Sequence, residues 1–328
     1  MTQPKLDVIA VGDAMVDVIA TCEDSFLDER GLAKGGLRLI GTEAADDLYA
    51  AMGTGRETSG GSAANSMAGI AALGGRSAFV GQVAHDQLGA IFAHDMQSLG
   101  VQFSTPPIAG PPPTGRCLIL VTPDAQRTMN TCAGASHELT AKALDPELIR
   151  SASITFLEGY LWGPERPREA MLEAARIAQA ADRTVAFTLS ESLNIGDRRE
   201  GVLGMIESGL VDVLFGNEKE VRYLTGCGDI ADCLDSLSGK VSTLVVTRGA
   251  SGAIGFDGEQ RIDVPATPVD KVVDTTGAGD LFAAGFVTSH CRGRPLRHCL
   301  EAGAAAAAEI ISHFGARPEA DLKTLVRL

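Results

Sequence analysis

Asp274-Thr275-Thr276-Gly277-Ala278-Gly279-Asp280-Leu281-Phe282-Ala283-Ala284-Gly285-Phe286 is the stretch on which the reading of this chain turns. Two glycines flank an alanine where an apolar helical run starts, so a helix is expected to begin near Ala278. The N–H groups at a helix start have no carbonyl partner in their own helix. Glycine leaves them uncovered, which makes an anion site. Asp280 then falls in the first turn. A carboxylate there can simply favour the helix dipole. It can equally take a proton from a hydroxyl attacking phosphorus beside the anion site. The residues alone leave both readings open. No Gly-Lys-Ser/Thr follows, so this is not a Walker A loop, and Phe282 stands where a dinucleotide fingerprint needs its third glycine.

Three further segments carry chemistry. Gly60-Gly61-Ser62-Ala63-Ala64-Asn65-Ser66 places a glycine pair before a small-residue helix. Asn65 there can bond substrate hydroxyls, or the segment is a tight loop with an N-cap at Ser62. In Gly216-Asn217-Glu218-Lys219-Glu220, Asn217 and Glu220 share one helix face. They can order water around Mg²⁺, or Asn217 is an ordinary N-cap. Thr247-Arg248-Gly249-Ala250-Ser251-Gly252 follows a strand and either wraps a phosphate tail or only turns the chain.

Around these segments the pattern is regular. Apolar runs at Leu6–Val11, Ser77–Val83, Ile154–Leu157, Thr184–Leu189, Val211–Phe215 and Thr243–Val246 read as strands. From Ile154 onward they alternate with helical stretches, which argues for βαβ units on a mostly parallel sheet. Ile254–Val264, with Asp257-Gly258 in its middle, reads as a hairpin. The chain is expected to close in helices over Ala278–Cys291, Leu296–Phe314 and Glu319–Arg327. Met15–Ala20, the weak strand Gly31–Leu39 and the Pro-bounded segments Val101–Thr105, Thr114–Val121 and Arg127–Thr131 do not fit the alternation. They are expected to form a small sheet of their own, a natural lid for a cleft.

Composition narrows the classes. The chain has 328 residues with 45% hydrophobic and 21% charged, enough for a large packed core. A net charge of −14 repels phosphate backbones and disfavours nucleic acid as a partner. Seven cysteines without C-x-x-C spacing argue against a disulfide framework or structural zinc. Met1–Asp7 carries no signal-peptide pattern and no apolar run spans a bilayer, so a soluble cytoplasmic protein without a membrane partner is expected. The six histidines show no metal-ligand spacing.

Taken together, these segments resemble the ribokinase-like (PfkB) carbohydrate and nucleoside kinases. Gly60–Asn65 through Gly89 is similar to the family's first signature and Asp274–Phe286 to its second. Asn217 with Glu220 matches its N-x-x-E element, Thr247–Gly252 its nucleotide-phosphate loop, and Gly12–Asp17 its first-strand motif. The resemblance spans nearly the whole chain with every motif in order. Arg116–Pro123, Gln126–Asn130 and Phe156–Trp162 look most like the adenosine-kinase-like branch.

The resemblance implies an α/β fold: a doubly wound, mostly parallel sheet flanked by helices, with a small β-sheet lid. Residues 1–14, 56–100 and 132–328 would form the core, and 15–55 and 101–131 the lid. It implies transfer of the γ-phosphoryl group of ATP, with Mg²⁺, to a hydroxymethyl oxygen. Asp280 would be the base, and the amides of Gly277, Ala278 and Gly279 would hold the charge developing on the phosphoryl group. Asp17, Gly61 and Asn65 would bind ribose-type hydroxyls, and Arg127 would contact phosphate from the lid. Asn217 and Glu220 would serve the Mg²⁺–phosphate network, Glu220 through water. Thr247, Gly249 and Gly252 would contact the ATP phosphates. Family members often need K⁺, and Asp274 matches a residue of that site.

For the acceptor, Met15 falls where nucleoside kinases place an apolar residue against the base, and Tyr160 and Trp162 would oppose it. Met15 and Trp162 can equally fill core gaps. Glu158 resembles a sugar-hydroxyl ligand and could equally pair with the N–H edge of a purine. A nucleoside is favoured, adenosine first, with a sugar kinase of the ribokinase or fructokinase type as the alternative. A non-catalytic nucleotide-binding protein would have lost Asp280 or the Gly277–Gly279 turn, and both are intact. Monomer and homodimer both fit.

Overall fold

The structure, a computed structural model, describes residues 4–124, 126–190 and 198–328. The parts of the expected core and lid segments at 1–3, 125 and 191–197 lie outside the described residues, as does the start of the Met1–Asp7 stretch. The strands are β1 (Leu6–Val11), β2 (Met15–Thr21), β3 (Leu37–Leu39), β4 (Arg56–Gly60), β5 (Ser77–Val80), β6 (Gln102–Phe103) and β7 (Gly115–Val121). They continue with β8 (Arg127–Cys132), β9 (Ala152–Glu158), β10 (Thr184–Thr188), β11 (Val213–Asn217), β12 (Thr243–Thr247), β13 (Ala253–Phe256) and β14 (Arg261–Val264).

A nine-stranded sheet runs β14-β13-β12-β11-β10-β9-β1-β5-β6, and a five-stranded sheet runs β3-β8-β7-β2-β4. From β12 to β6 the large sheet is parallel; β13 and β14 add an antiparallel edge through the hairpin that Asp257-Gly258 announced. Its strands are apolar on both faces because helices cover both. Successive residues of β1 divide between two cores: Val8 and Ala10 pack on one side, Ile9 and Val11 on the other. The doubly wound sheet with a smaller second sheet agrees with the expected fold class.

Two close helix contacts position the site. A Cβ on Gly69 would lie 2.7 Å from Leu281 Cδ1 and 2.8 Å from Ala284 Cβ, so glycine lets the helix Ser62–Ala72 approach the helix Ala278–Cys291. Gly303 plays the same part between the helices Ala278–Cys291 and Leu296–Ile310, with Phe282 O only 2.8 Å from where a Cβ would stand.

Some segments differ from expectation. Arg56–Gly60 is a strand although it is polar and shows no alternation; pairing with β2, Met15 opposite Gly60 through Ile19 opposite Arg56, creates it. Of Val101–Thr105 only Gln102–Phe103 is a strand, and it joins the large sheet beside β5 instead of the small one. Gly31–Leu39 contracts to Leu37–Leu39, and helices at Asp24–Glu29 and Thr42–Ala51 occupy the same connection. The last long helix ends at Ile310, not Phe314, and only Leu322–Leu325 of Glu319–Arg327 is helical. The buried Glu309 turns the chain there: its Oε1 accepts the amides of Glu319 at 2.9 Å and Ala320 at 2.8 Å. No helix is long and apolar enough to cross a membrane among the described residues.

Candidate active site

Parallel strands end together, and their carboxyl ends bring distant motifs to one edge. Glu158 at the end of β9 pairs with Thr188 on β10, and Asn217 at the end of β11 pairs with Thr247 at the end of β12. A cavity of about 510 Å³ opens there, lined by Thr247, Gly249, Gly252, Ala278, Gly279 and Phe282 among others. The fourth and first sequence segments thus share one pocket, of a size that takes a small organic ligand. Its far wall is the alanine face Ala304, Ala307 and Ala308.

Gly277 caps the helix Ala278–Cys291 with φ +79°, a left-handed conformation that costs a side chain strain. A Cβ there would also lie 2.9 Å from Ala316 Cβ. The first helical bond joins Leu281 N to Gly277 O at 2.8 Å. Ala278 N is engaged by Thr275 O at 3.2 Å, so of the three expected anion-site amides this one already has a partner. A Cβ on Gly279 would meet nothing within 4 Å, which leaves that turn open on the cavity side.

Asp280, half-buried in the first turn, accepts the Ser62 hydroxyl at 2.6 Å and the Asn65 amide at 2.9 Å. Ser62 therefore serves Asp280; Gly61 is the N-cap of its helix. Burial pushes the Asp280 carboxyl above its ordinary range, opposed by these two donors and by the charge of Arg317. The result is a carboxylate with raised proton affinity, as a base requires.

The small sheet brings a second carboxylate, Asp17, within the reach of the Asp280 charge. Burial pushes the Asp17 carboxyl up to about 6 against the pull of Arg317 and Arg127. Gly60 packs on it: a Cβ there would stand 2.6 Å from the carboxylate. Gly61, at φ +94°, instead lies against the Asp13 carbonyl so closely that no side chain fits. Met15 is buried at the start of β2, between Gly60 and Gly115. Tyr160 is 44% exposed on the short 3₁₀ turn after β9, whereas Trp162 packs edge-on against Phe187 at 5.6 Å in the core and offers no open face.

Glu158 departs from its expected part. It is 0% exposed, and its two oxygens accept the amides of Asp13 at 2.5 Å and Ala63 at 2.6 Å. It ties the end of β1 to the helix Ser62–Ala72 and shows no surface to a substrate hydroxyl. Burial and the nearby Asp13 push its carboxyl well above the ordinary range.

Arg127 reaches from β8 to Asp274, forming an ion pair, and donates to Thr276 Oγ1 at 3.1 Å. Asp274 also accepts Thr276 N at 3.0 Å, Thr276 Oγ1 at 2.7 Å and Gly315 N at 3.0 Å. Burial raises the Asp274 carboxyl, but these donors and the Arg127 charge outweigh it and hold it below the usual range. Asn217 and Glu220 form a reciprocal cap: Asn217 Oδ1 accepts Glu220 N at 2.9 Å and Glu220 Oε2 accepts Asn217 N at 2.8 Å. Among the described residues no cluster of His, Cys, Asp or Glu could by itself hold a metal ion.

Sequence reasoning passed over Arg317. It donates to Asn65 Oδ1, and through Nη2 to Ser59 O at 2.7 Å and Ser59 Oγ at 2.8 Å. Asp95 accepts Ser59 N at 2.8 Å and Ser59 Oγ at 2.7 Å. The signal in the sequence was Gly315-Ala316-Arg317-Pro318, the break between two expected helices.

A profile of the family described as pfkB family carbohydrate kinase matches residues 5–323. The adenosine kinase of Sinorhizobium meliloti superposes with a TM-score of 0.90 at 44% identity over 98% of each chain. A probable sugar kinase from Rhizobium etli CFN 42 does so with a TM-score of 0.90 at 41% identity, again over 98% of each. The cytidine kinase of Thermococcus kodakarensis is 41% identical over 108 residues, 32% of this chain and 38% of that protein. That alignment spans little more than a third of the archaeal enzyme.

Proposed function

We propose, for a chain that belongs to the pfkB family of carbohydrate kinases and is therefore a phosphotransferase with an alcohol acceptor, that it moves the γ-phosphoryl group of ATP onto the 5′-hydroxymethyl oxygen of a nucleoside, adenosine first. The observation that carries this reading is the place of Asp280. It stands in the helix turn that lines the cavity through Gly279, and it is held by Ser62 and Asn65 from the acceptor side.

In this reading the cavity takes ATP, with Thr247, Gly249 and Gly252 along its phosphates. Asp280 accepts the proton of the attacking hydroxyl as the new O–P bond forms and the bond to the β-phosphate oxygen breaks, releasing ADP. The amides of Gly277 and Gly279 stabilise the charge on the transferring group. Asp17 takes the ribose hydroxyls, and Asn65 keeps its second amide hydrogen for the same ligand. Arg127 would approach the phosphates from the small sheet, and Asp274, with which it is paired, is the residue that would hold K⁺. Mg²⁺ keeps most of its waters and takes few carboxylates; Glu220, whose cap ties it to Asn217 opposite Thr247, would serve it through water. Mg²⁺ supplies charge neutralisation at the phosphates when bound.

Met15 and Tyr160 form the base side. The burial of Glu158 weighs for neither acceptor, since it removes the expected sugar ligand and the expected purine contact alike; the likeness to an adenosine kinase favours the nucleoside. The likeness to a probable sugar kinase favours the second reading, a sugar acceptor with the same chemistry. The test is ADP release from Mg-ATP, with and without K⁺, against adenosine, guanosine, inosine and cytidine in one panel and ribose and fructose in another. Turnover of a nucleoside at micromolar KM and none of free ribose supports the reading. Turnover of sugars alone retires the nucleoside. Asp280→Asn is expected to lower kcat by about 10² to 10⁴ with ATP affinity by calorimetry unchanged; full turnover would remove Asp280 from the chemistry.

A further inference from the structure

We infer that Arg317 is a positioning residue for phosphoryl transfer: it fixes the orientation of the Asn65 amide, and thereby of Asp280, and anchors both to strand β4 of the small sheet. The inference rests on Asp280 being the base.

The argument is one of donors and acceptors. A guanidinium only donates, so the Asn65 atom facing Arg317 is the carbonyl oxygen. The amide nitrogen is then turned to Asp280, where it donates at 2.9 Å. Asp280 and Arg317 select the same orientation from opposite ends of the amide; without Arg317 the carbonyl end loses its charged donor and the bond to Asp280 alone holds the side chain. Nη2 meanwhile grips Ser59 at both its carbonyl and its hydroxyl, and Asp95 holds Ser59 from the other side. A chain Asp95–Ser59–Arg317–Asn65–Asp280 thus links β4 to the base. The fork supplies geometry a point charge lacks.

Arg317 is also the cation whose charge acts on Asp280, and the charge of Asp280 in turn reaches Asp17 on β2 and Glu158 on β9. Losing Arg317 therefore removes a charge that favours ionised Asp280, and a merely structural residue would not do so.

Two variants test this with kcat/KM measured against pH. Arg317→Met is expected to lower kcat about 10²-fold, the scale of a misplaced reacting group, and to move the acid limb to higher pH. Arg317→Lys keeps the charge and loses the fork. It is expected to keep the wild-type acid limb while kcat falls at least about tenfold. An Arg317→Lys rate equal to wild type overturns the inference even if the methionine variant does not fold. A slow Arg317→Met enzyme with an unmoved acid limb overturns it as well. Asp280→Asn run beside them separates the two levels: if it stays active, the base assignment itself fails.

Discussion

Asp17 exposes a tension between stability and function that Asp17→Asn should release. The carboxyl is held between strands of the small sheet, and burial lifts it from 3.8 to about 6. The folded state thus binds this proton more tightly than the unfolded chain does. A group of that kind contributes stability that is complete below pH 4 and lost as pH rises through about 6. The displacement corresponds to about 3 kcal/mol of destabilisation at pH 7 and less than about 1 kcal/mol at pH 4. Asparagine keeps the size and carries no proton equilibrium. The variant is expected to gain on the wild type as pH rises, by about 2 to 3 kcal/mol between pH 4 and pH 7. For a chain of this length that is about 4 °C in Tm. Urea unfolding or scanning fluorimetry at pH 4, 5, 6 and 7 reads it directly. Acceptor KM should rise about 10- to 100-fold, the worth of charge-assisted hydrogen bonds to hydroxyls. A stability difference that does not change with pH would refute the reasoning, because it would mean that Asp17 is not desolvated.

Gly69→Ala should wedge the helices Ser62–Ala72 and Ala278–Cys291 apart, costing about 1 to 3 kcal/mol in urea unfolding and slowing turnover; an unchanged protein would show that the contact does not position Asp280. Ala307→Phe should fill the cavity wall and raise the ATP KM at least about tenfold with acceptor KM unmoved, and an unaffected ATP KM would place the nucleotide elsewhere. Tyr160→Ala should raise the KM of nucleosides by about the 1 to 3 kcal/mol of one stacked base while leaving a free sugar untouched. An equal effect on both would take Tyr160 out of the base side.

Much of the architecture was legible because buried parallel strands need unbroken apolar runs. Leu6–Val11, Thr184–Leu189 and Thr243–Val246 announced themselves in this way. The glycine turn at Gly277–Gly279 was equally plain, since backbone reasons alone demand glycine at a left-handed cap. Arg56–Gly60 was invisible for the opposite reason. Its polar residues become a strand only through their register with β2. Glu158 and Asp274 stood out as candidate carboxylates, but residue type cannot say whether such a group faces a ligand or its neighbours. The fold gave Glu158 to two backbone amides and Asp274 to Arg127.

The sequence by itself determined the βαβ order, the helix that starts at Ala278 and the carboxylate in its first turn. Those are local properties, written in spacing and residue type. Only the tertiary structure decided that Ser62, Asn65 and Arg317 meet Asp280, across separations of 218 and 215 residues for the first two. Such contacts depend on how closely helices pack and where parallel strands end together. Those distances are set by the whole core and by glycines such as Gly69, whose meaning appears only when the facing helix is in place.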